Sequence, residues 1–510
     1  MIASRRQIAQ AAGLVSLLFA ASRVLGLVRE IFIGAQFGTS AELDAYLAAF
    51  RLPDLIFYLV AGGALGSAFI PTFTARLSRD ASPGLPMAWR LASAVCNLVV
   101  LLTTALAILA FFLAELLVAT VVAPGFDPAQ QALTVQLMRI MLLAPVIFGL
   151  SGIFMGILNS FQHFLAPALA PILYNLVIIL AAWFLAPVMG VYGLALGVVG
   201  GAAAHLLIQV PALLRRKPLY APTLGLDNPD VREVGRLMGP RVLGLAAVQI
   251  NFLVNANLAS GLSEGSLSAL NYAWLLLLLP QGIVAQGIAT AVFPTFSAQV
   301  AQGQVIALRA TLNAALRAIL WLTLPAAAGL LFLRVPLVAA LLQRGEFSEQ
   351  STALTAYALA FFAFGLVAHS MLEVVARAYY ALHDTWTPVR FGLVAMALNV
   401  VLSLLLLQPL AHGGLALANT LATTLEVVVL LALLGPRLGG LGARRLLKTL
   451  AGSLLGTAVM IAVLFWFLGR WGGGPPLLVA SGGILLGGLV YGAVVLLLGR
   501  REIAQLRRRL

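Results

Sequence analysis

Arg23-Val-Leu-Gly-Leu27 returns as Arg241-Val-Leu-Gly-Leu245, and this recurrence decides how the chain is read. Pro71-Thr-Phe73 returns as Pro294-Thr-Phe296, and Gly193-Leu-Ala-Leu196 returns as Gly414-Leu-Ala-Leu417. The offsets are 218, 223 and 221 residues, in chain order. Apolar sequence produces single matches by chance, but three collinear matches at nearly one offset mark an internal repeat. The N-terminus could pass for a secretory leader, with Arg5 and Arg6, an apolar stretch and Ala20-Ala21-Ser22. Because its motif recurs, the segment is expected to belong to the repeat and to be retained.

Working outward, the 510 residues are 62% hydrophobic and only 9% charged, with 48 glycines and 24 prolines. A globular chain carries roughly 25% charged residues. The composition fits a polytopic membrane protein and excludes a soluble enzyme, a DNA-binding protein or a disordered scaffold. The net charge of +14 therefore points to basic cytoplasmic loops rather than to nucleic acid. One cysteine, Cys96, rules out an internal disulfide framework, and five scattered histidines form no metal-ligand cluster.

A bilayer core takes about 20 apolar residues per helix. Apolar runs predict fourteen spans, near 10–34, 44–75, 88–119, 131–157, 161–186, 190–214, 235–259, 266–297, 308–333, 351–380, 387–408, 412–434, 447–468 and 476–499. With fourteen crossings, both termini and the even-numbered connections share one side, and 23 of the 31 Lys and Arg residues fall there. The other side has Arg334, Arg344 and Arg470, together with Glu42, Asp44, Asp127, Glu264, Glu346 and Glu349. This bias places both termini in the cytoplasm. The repeat covers six spans per copy. Six is even, so the copies are parallel repeats about an axis along the membrane normal, as in alternating-access transporters. The expected fold is all-α: an N-terminal six-helix bundle (1–217), a C-terminal one (218–440), a V-shaped cavity between them, and an added helix pair (441–510).

Charge inside a membrane is costly, about 2.5–3.5 kcal/mol per residue on insertion scales, and marks cavities or partners. The first span carries Arg23, Arg29 and Glu30; the second carries Arg51 and Asp54, three apart on one face, with Asp44 at its entrance. These residues, Arg23, Arg29, Arg51, Asp44 and Glu30, are the candidate substrate-binding set, cationic at the centre and acidic at the outer mouth. Arginine suits a pyrophosphate because its planar fork offers paired, permanently charged donors. Simpler readings are that Arg51 and Asp54 form a structural pair and that Glu30 neutralises Arg29. Pro53 and Gly62-Gly63 in the second span, with Pro280 and Gly282 in its counterpart, are candidate hinges, since helix breakers at matching places in two halves mark binding sites or hinges. Glu115, Glu373 and Glu426 also fall in apolar runs. Glu373 precedes Arg377 by four and reads as its partner, and Asn175 and Asn399 read as interhelical hydrogen-bonding groups. No nucleophile–base set, P-loop, zinc motif or dinucleotide fingerprint occurs, so neither an enzyme nor a cofactor is expected.

The first two spans carry a resemblance. Ser22-Arg-Val-Leu-Gly-Leu-Val-Arg-Glu30, Phe37-Gly38, Asp44-Ala45, Phe50-Arg-Leu-Pro-Asp54 and Ala68-Phe-Ile-Pro71 resemble the MurJ/MviN family. Leu137-Met-Arg139 with Pro145, Gly156-Ile-Leu-Asn-Ser160, Pro240-Arg-Val-Leu-Gly244 and Asn271-Tyr-Ala273 extend it, from about residue 14 to the end of the twelfth span. The resemblance implies a lipid II flippase of the multidrug/oligosaccharidyl-lipid/polysaccharide exporter superfamily, in the bacterial plasma membrane. It would carry the undecaprenyl-pyrophosphate-linked peptidoglycan precursor from the inner to the outer leaflet. It further implies that Arg23 and Arg29 hold the pyrophosphate, that Asp44 matches a family acidic residue and that the C-terminal pair forms a groove for the lipid tail. Membrane potential and an unidentified coupling ion are possible drivers. The chain departs from the family twice. Phe57 and Tyr58 stand where many members have a double arginine, and Leu275 stands where many have a cavity arginine. The alternatives are a flippase of another polyprenyl-linked saccharide, a cation-coupled drug antiporter using Glu373 or Glu426, and a non-transporting scaffold for wall synthesis.

Overall fold

The computed structural model describes residues 5–60, 64–79 and 86–507, and these contain helices and no strand. Ten of its helices are long and apolar enough to cross a membrane, or eleven if the two parts of the helix Pro229–Ser260 count as one span. One of the ten, Trp386–Arg437, is 52 residues long and is two helices merged across Ala411, whose φ of 46° and ψ of −133° are not helical. The break falls where the sequence reading separates the eleventh and twelfth spans. Exposed apolar side chains such as Phe112, Val188, Ile283 and Leu489 suit a lipid-facing surface.

The repeat is visible in the turns as well as in the sequence. Gly190 (φ 58°, ψ −143°) occupies the same backbone conformation as Ala411, 221 residues later. Three residues on, a Cβ on Gly193 would lie 2.7 Å from the Leu185 carbonyl carbon, and one on Gly414 would lie 2.2 Å from the Leu406 carbonyl oxygen. Both repeated glycines are therefore places where a helix start abuts the preceding backbone. Gln162 (φ 58°) and His383 (φ 59°) form a second repeated turn. There the His163 N–H donates to Leu158 O and the Asp384 N–H to Tyr379 O, both at 2.9–3.0 Å. Helix starts repeat too. Asp127 accepts from the Ala129 and Gln130 N–H groups, and Ser348 accepts from Ser351, each satisfying orphan donors at a helix N-terminus.

The chain divides into two compact units, Met1–Glu264 and Gly265–Leu510. The division falls one helix later than the repeat boundary read from sequence, because Pro229–Ser260 packs on Ala41–Val60 and Ala64–Arg79. Arg76 from the latter helix donates to both oxygens of Asp230 at 2.6 and 2.8 Å. The core of the first unit includes Phe69, Phe73, Trp89, Ile153 and Ile157. In the second unit, Val374, Val375, Ala378 and Tyr379 pack against Leu312, Leu316 and Leu430. The last two helices, Ala443–Trp471 and Pro476–Arg507, join this unit through polar contacts. Tyr491 Oη donates to Trp321 O at 2.7 Å. Arg317 Nε donates to Thr449 Oγ1 at 2.8 Å. Arg317 is buried within the helix Val305–Phe332.

Candidate functional site

Four helices of the first unit build a polar cluster. The helix Arg5–Phe37 supplies Arg29 and Glu30, Ala41–Val60 supplies Asp44, Tyr46, Arg51, Asp54 and Tyr58, Leu165–Leu180 supplies Tyr174 and Asn175, and Pro229–Ser260 supplies Phe252. The N-terminus of the second of these is tied down on both of its backbone groups. Glu264 Oε1 accepts from the Ala41 N–H at 2.8 Å, and Gln130 Nε2 donates to Ala41 O at 2.8 Å. Asp44, in the first turn, is 2% exposed and lies where the helix dipole favours a negative charge.

Arg29 is the most constrained cation of the set. Its Nε and Nη2 donate to Glu30 Oε1 at 3.1 and 2.6 Å, and its Nη1 donates to Asn175 Oδ1 at 3.1 Å. Asn175 completes the bridge, donating through Nδ2 to Pro171 O at 3.1 Å and to Ser22 O at 3.3 Å. The amide thus clamps the first helix to Leu165–Leu180 and orients the guanidinium at once. About a quarter of the Arg29 side chain remains exposed, so the group is held without being sealed.

Arg51 is placed differently. Its guanidinium carbon lies 5.4 Å from the Phe252 ring centroid, a cation–π distance, and its buried Nε has no hydrogen-bond partner among the described residues. Asp54 is three residues on in the same helix, just after the buried Pro53. No hydrogen bond or ion pair within 4.0 Å joins Arg51 to Asp54 among the described residues, so the two act on each other through their charges alone. Asp54 lies in the field of both Arg51 and Arg29. Tyr46, Tyr58 and Tyr174 lie within electrostatic reach of it. Sequence reasoning missed these tyrosines, because a tyrosine in an apolar run carries no pattern of its own.

The remaining candidates separate from this cluster. Arg23, six residues before Arg29, is exposed. Gly62 and Gly63 lie outside the described residues. Pro280 sits within Ser266–Gln281, and Gly282 opens a π-helical turn, Gly282–Gln286, directly after it. Such turns are concentrated at functional sites. Asn399, unlike Asn175, is buried with neither side-chain atom hydrogen-bonded among the described residues.

The positions of departure carry aromatic and aliphatic packing. Phe57 meets Tyr58 edge-on at 5.3 Å and the tilted ring of Phe148 at 5.7 Å, and Phe148 also meets Tyr174 and His205 at 5.1 and 5.3 Å. His205 is itself fixed by Ser151 at 2.7 Å. In the second unit, Trp274 beside Leu275 packs on Phe362 and His369. Glu373 accepts from Arg377 at 2.6 Å as its spacing suggested, and both line a cavity of about 340 Å³ with Phe293, Leu372, Ala376 and Tyr380. Glu115 accepts from Arg139 at 3.2 Å.

A multi-pass helical protein with an internal repeat and a guanidinium–carboxylate cluster partly buried between its helices has the features of a membrane transporter. Comparison with known proteins specifies the kind. Residues 33–504 match the family model described as "Lipid II flippase MurJ". A probable lipid II flippase MurJ of Rhizobium tropici is 33% identical and covers 96% of this chain and 94% of its own. One from Vibrio cholerae is 32% identical, with 96% and 95% covered. The solved structure of a lipid II flippase MurJ in an inward closed conformation has a TM-score of 0.83 at 27% identity, covering 96% of this chain and 99% of that one. An inward-facing multidrug resistance transporter of the MATE family shares the fold, with a TM-score of 0.69 at 17% identity. The chain belongs to the lipid II flippase MurJ family.

Proposed function

We infer that this chain is a lipid II flippase, a transporter and not an enzyme, of the bacterial inner membrane. It moves the polyprenyl-diphosphate-linked peptidoglycan precursor from the inner to the outer leaflet by alternating access. The observation that carries the reading is Arg29. In a chain of this family, a partly exposed guanidinium between packed helices is held in one orientation by Glu30 and Asn175. A planar fork fixed in this way suits the paired oxygens of a diphosphate. Arg51, with an unpartnered Nε, is the second cation of the same site, and Arg23 is the entry contact. Asp44 shapes the far end of the site, and Pro53, Gly62, Gly63, Pro280 and Gly282 serve as hinges. The repeats 1–217 and 218–440 act as the two moving halves, with 441–510 beside the lipid tail. Both termini face the cytoplasm, in keeping with the basic even-numbered connections. Membrane potential assists, at about 2.3 kcal/mol per charge per 100 mV. Glu373 is engaged by Arg377, which leaves the drug-antiporter reading without that carboxylate.

The test is complementation in a bacterium depleted of its own lipid II flippase, with membrane expression verified by immunoblot. Wild type should restore growth, and Arg29→Ala should fail. Rescue by Arg29→Ala would remove the arginine mechanism and leave transport standing. Failure of the well-inserted wild type, together with failure in a second host, would move the assignment to another lipid-linked saccharide.

A further inference from the structure

The cluster around Asp54 contains as many carboxylates as guanidiniums: Arg29 and Arg51 against Glu30 and Asp54. A diphosphate diester brings one negative charge on each phosphate. Placing both beside an already balanced cluster, away from bulk water, leaves uncompensated negative charge where Coulomb energies are large. Protonation of a carboxylate beside the head group relieves that excess. Glu30 accepts two hydrogen bonds from Arg29. Among the described residues the Asp54 carboxylate accepts none and has no ion pair within 4.0 Å.

We propose that Asp54 takes up a proton when the diphosphate binds, so that a proton enters the site with the substrate. This rests on the flippase reading above. The proton goes from water to an Asp54 oxygen as the head group settles on Arg29 and Arg51. It returns to water when the head group leaves on the other side. The charged and titratable groups facing Asp54 are Arg29 and Glu30 from the first helix, Tyr46, Arg51 and Tyr58 from its own, and Tyr174 from Leu165–Leu180. The helix Pro229–Ser260 contributes Phe252, which does not titrate. The tyrosines carry no charge near neutral pH, which leaves the two carboxylates as the adjustable charges.

The experiment is calorimetric binding of a diphosphate-linked disaccharide with a shortened prenyl chain to the full-length protein in detergent. Runs at one pH in buffers of different ionisation enthalpy count the protons exchanged. Wild type should take up about one proton per probe bound, and its affinity should fall by up to about tenfold per pH unit in the alkaline direction. Asp54→Asn, neutral at every pH, should bind the probe with no proton uptake and with a flat pH dependence. Asp54→Glu should restore both, which separates a charge effect from misfolding. Binding without proton uptake by wild type, or uptake retained by Asp54→Asn, would overturn the inference and leave the flippase reading intact. No binding by a monodisperse wild type would overturn that reading and the inference with it.

Discussion

At the scale of single residues, geometry separates cations that look equivalent in sequence. Arg23 and Arg29 differ only in position along one helix, yet Arg29 bridges Glu30 and Asn175 while Arg23 is exposed. Lysine at position 29 would keep the charge but lose the fork that spans both partners. Arg29→Lys should therefore lower transport by at least about tenfold, equivalent to about 1.4 kcal/mol. Growth of the depleted strain at graded expression measures this, and full rescue by Arg29→Lys would show that charge alone suffices. Asp384, in the connection before Trp386, is a residue whose charge matters outside the spans. Desolvation opposes its ionisation, but hydrogen bonds from Arg437 and from the hydroxyl and N–H of Thr387 outweigh this and hold the carboxyl down at about 2. A carboxyl depressed in the folded state stabilises above its unfolded value of about 3.9 and loses that contribution as pH falls toward 2. Because Arg437 is 47% exposed, the effect should not exceed about 1 kcal/mol. The melting-temperature gap between wild type and Asp384→Asn in detergent should be open near neutral pH and close on acidification.

At the scale of elements, the repeated turns make a paired prediction. Ala411 holds a backbone conformation that its counterpart Gly190 adopts without a Cβ penalty. Ala411→Gly should stabilise by about 1 kcal/mol, because strain of this kind costs a non-glycine residue about that much. Gly414→Ala should do the opposite. Its Cβ would sit 2.2 Å from the Leu406 carbonyl oxygen, which forces the two helices apart at a cost of about 1–3 kcal/mol. Thermal unfolding of the two variants against wild type tests the pair, and shifts of the same sign would show that this turn is not built as described. The turn was legible as a motif, Gly-Leu-Ala-Leu, but its reason was not. A glycine forced by a neighbour's carbonyl looks, in sequence, like any glycine in a membrane helix.

At the scale of the whole molecule, orientation follows from charge asymmetry and is open to direct test. Arg215 and Glu346 are both exposed and lie on connections assigned to opposite sides. In a Cys96→Ala background, Arg215→Cys should react with an impermeant thiol reagent only after cells are opened, and Glu346→Cys should react in intact cells. The reverse pattern would invert the topology and with it the proposed direction of transport.

Composition, the 221-residue repeat and the one-sided basic residues were enough to determine a multi-pass helical class. They depend on hydrophobicity and charge, which each residue carries regardless of its neighbours. The family motifs in the first two spans pointed to the same functional region for the same reason, since they are contiguous. Tertiary structure alone decided which charges meet. Asn175 reaches Arg29 across 146 residues, Phe252 lies against the Arg51 guanidinium, Arg317 meets Thr449, and among the described residues no hydrogen bond or ion pair joins Asp54 to Arg51 despite their three-residue spacing. Those outcomes depend on how helices pack and rotate, and spacing along one helix leaves that rotation undetermined.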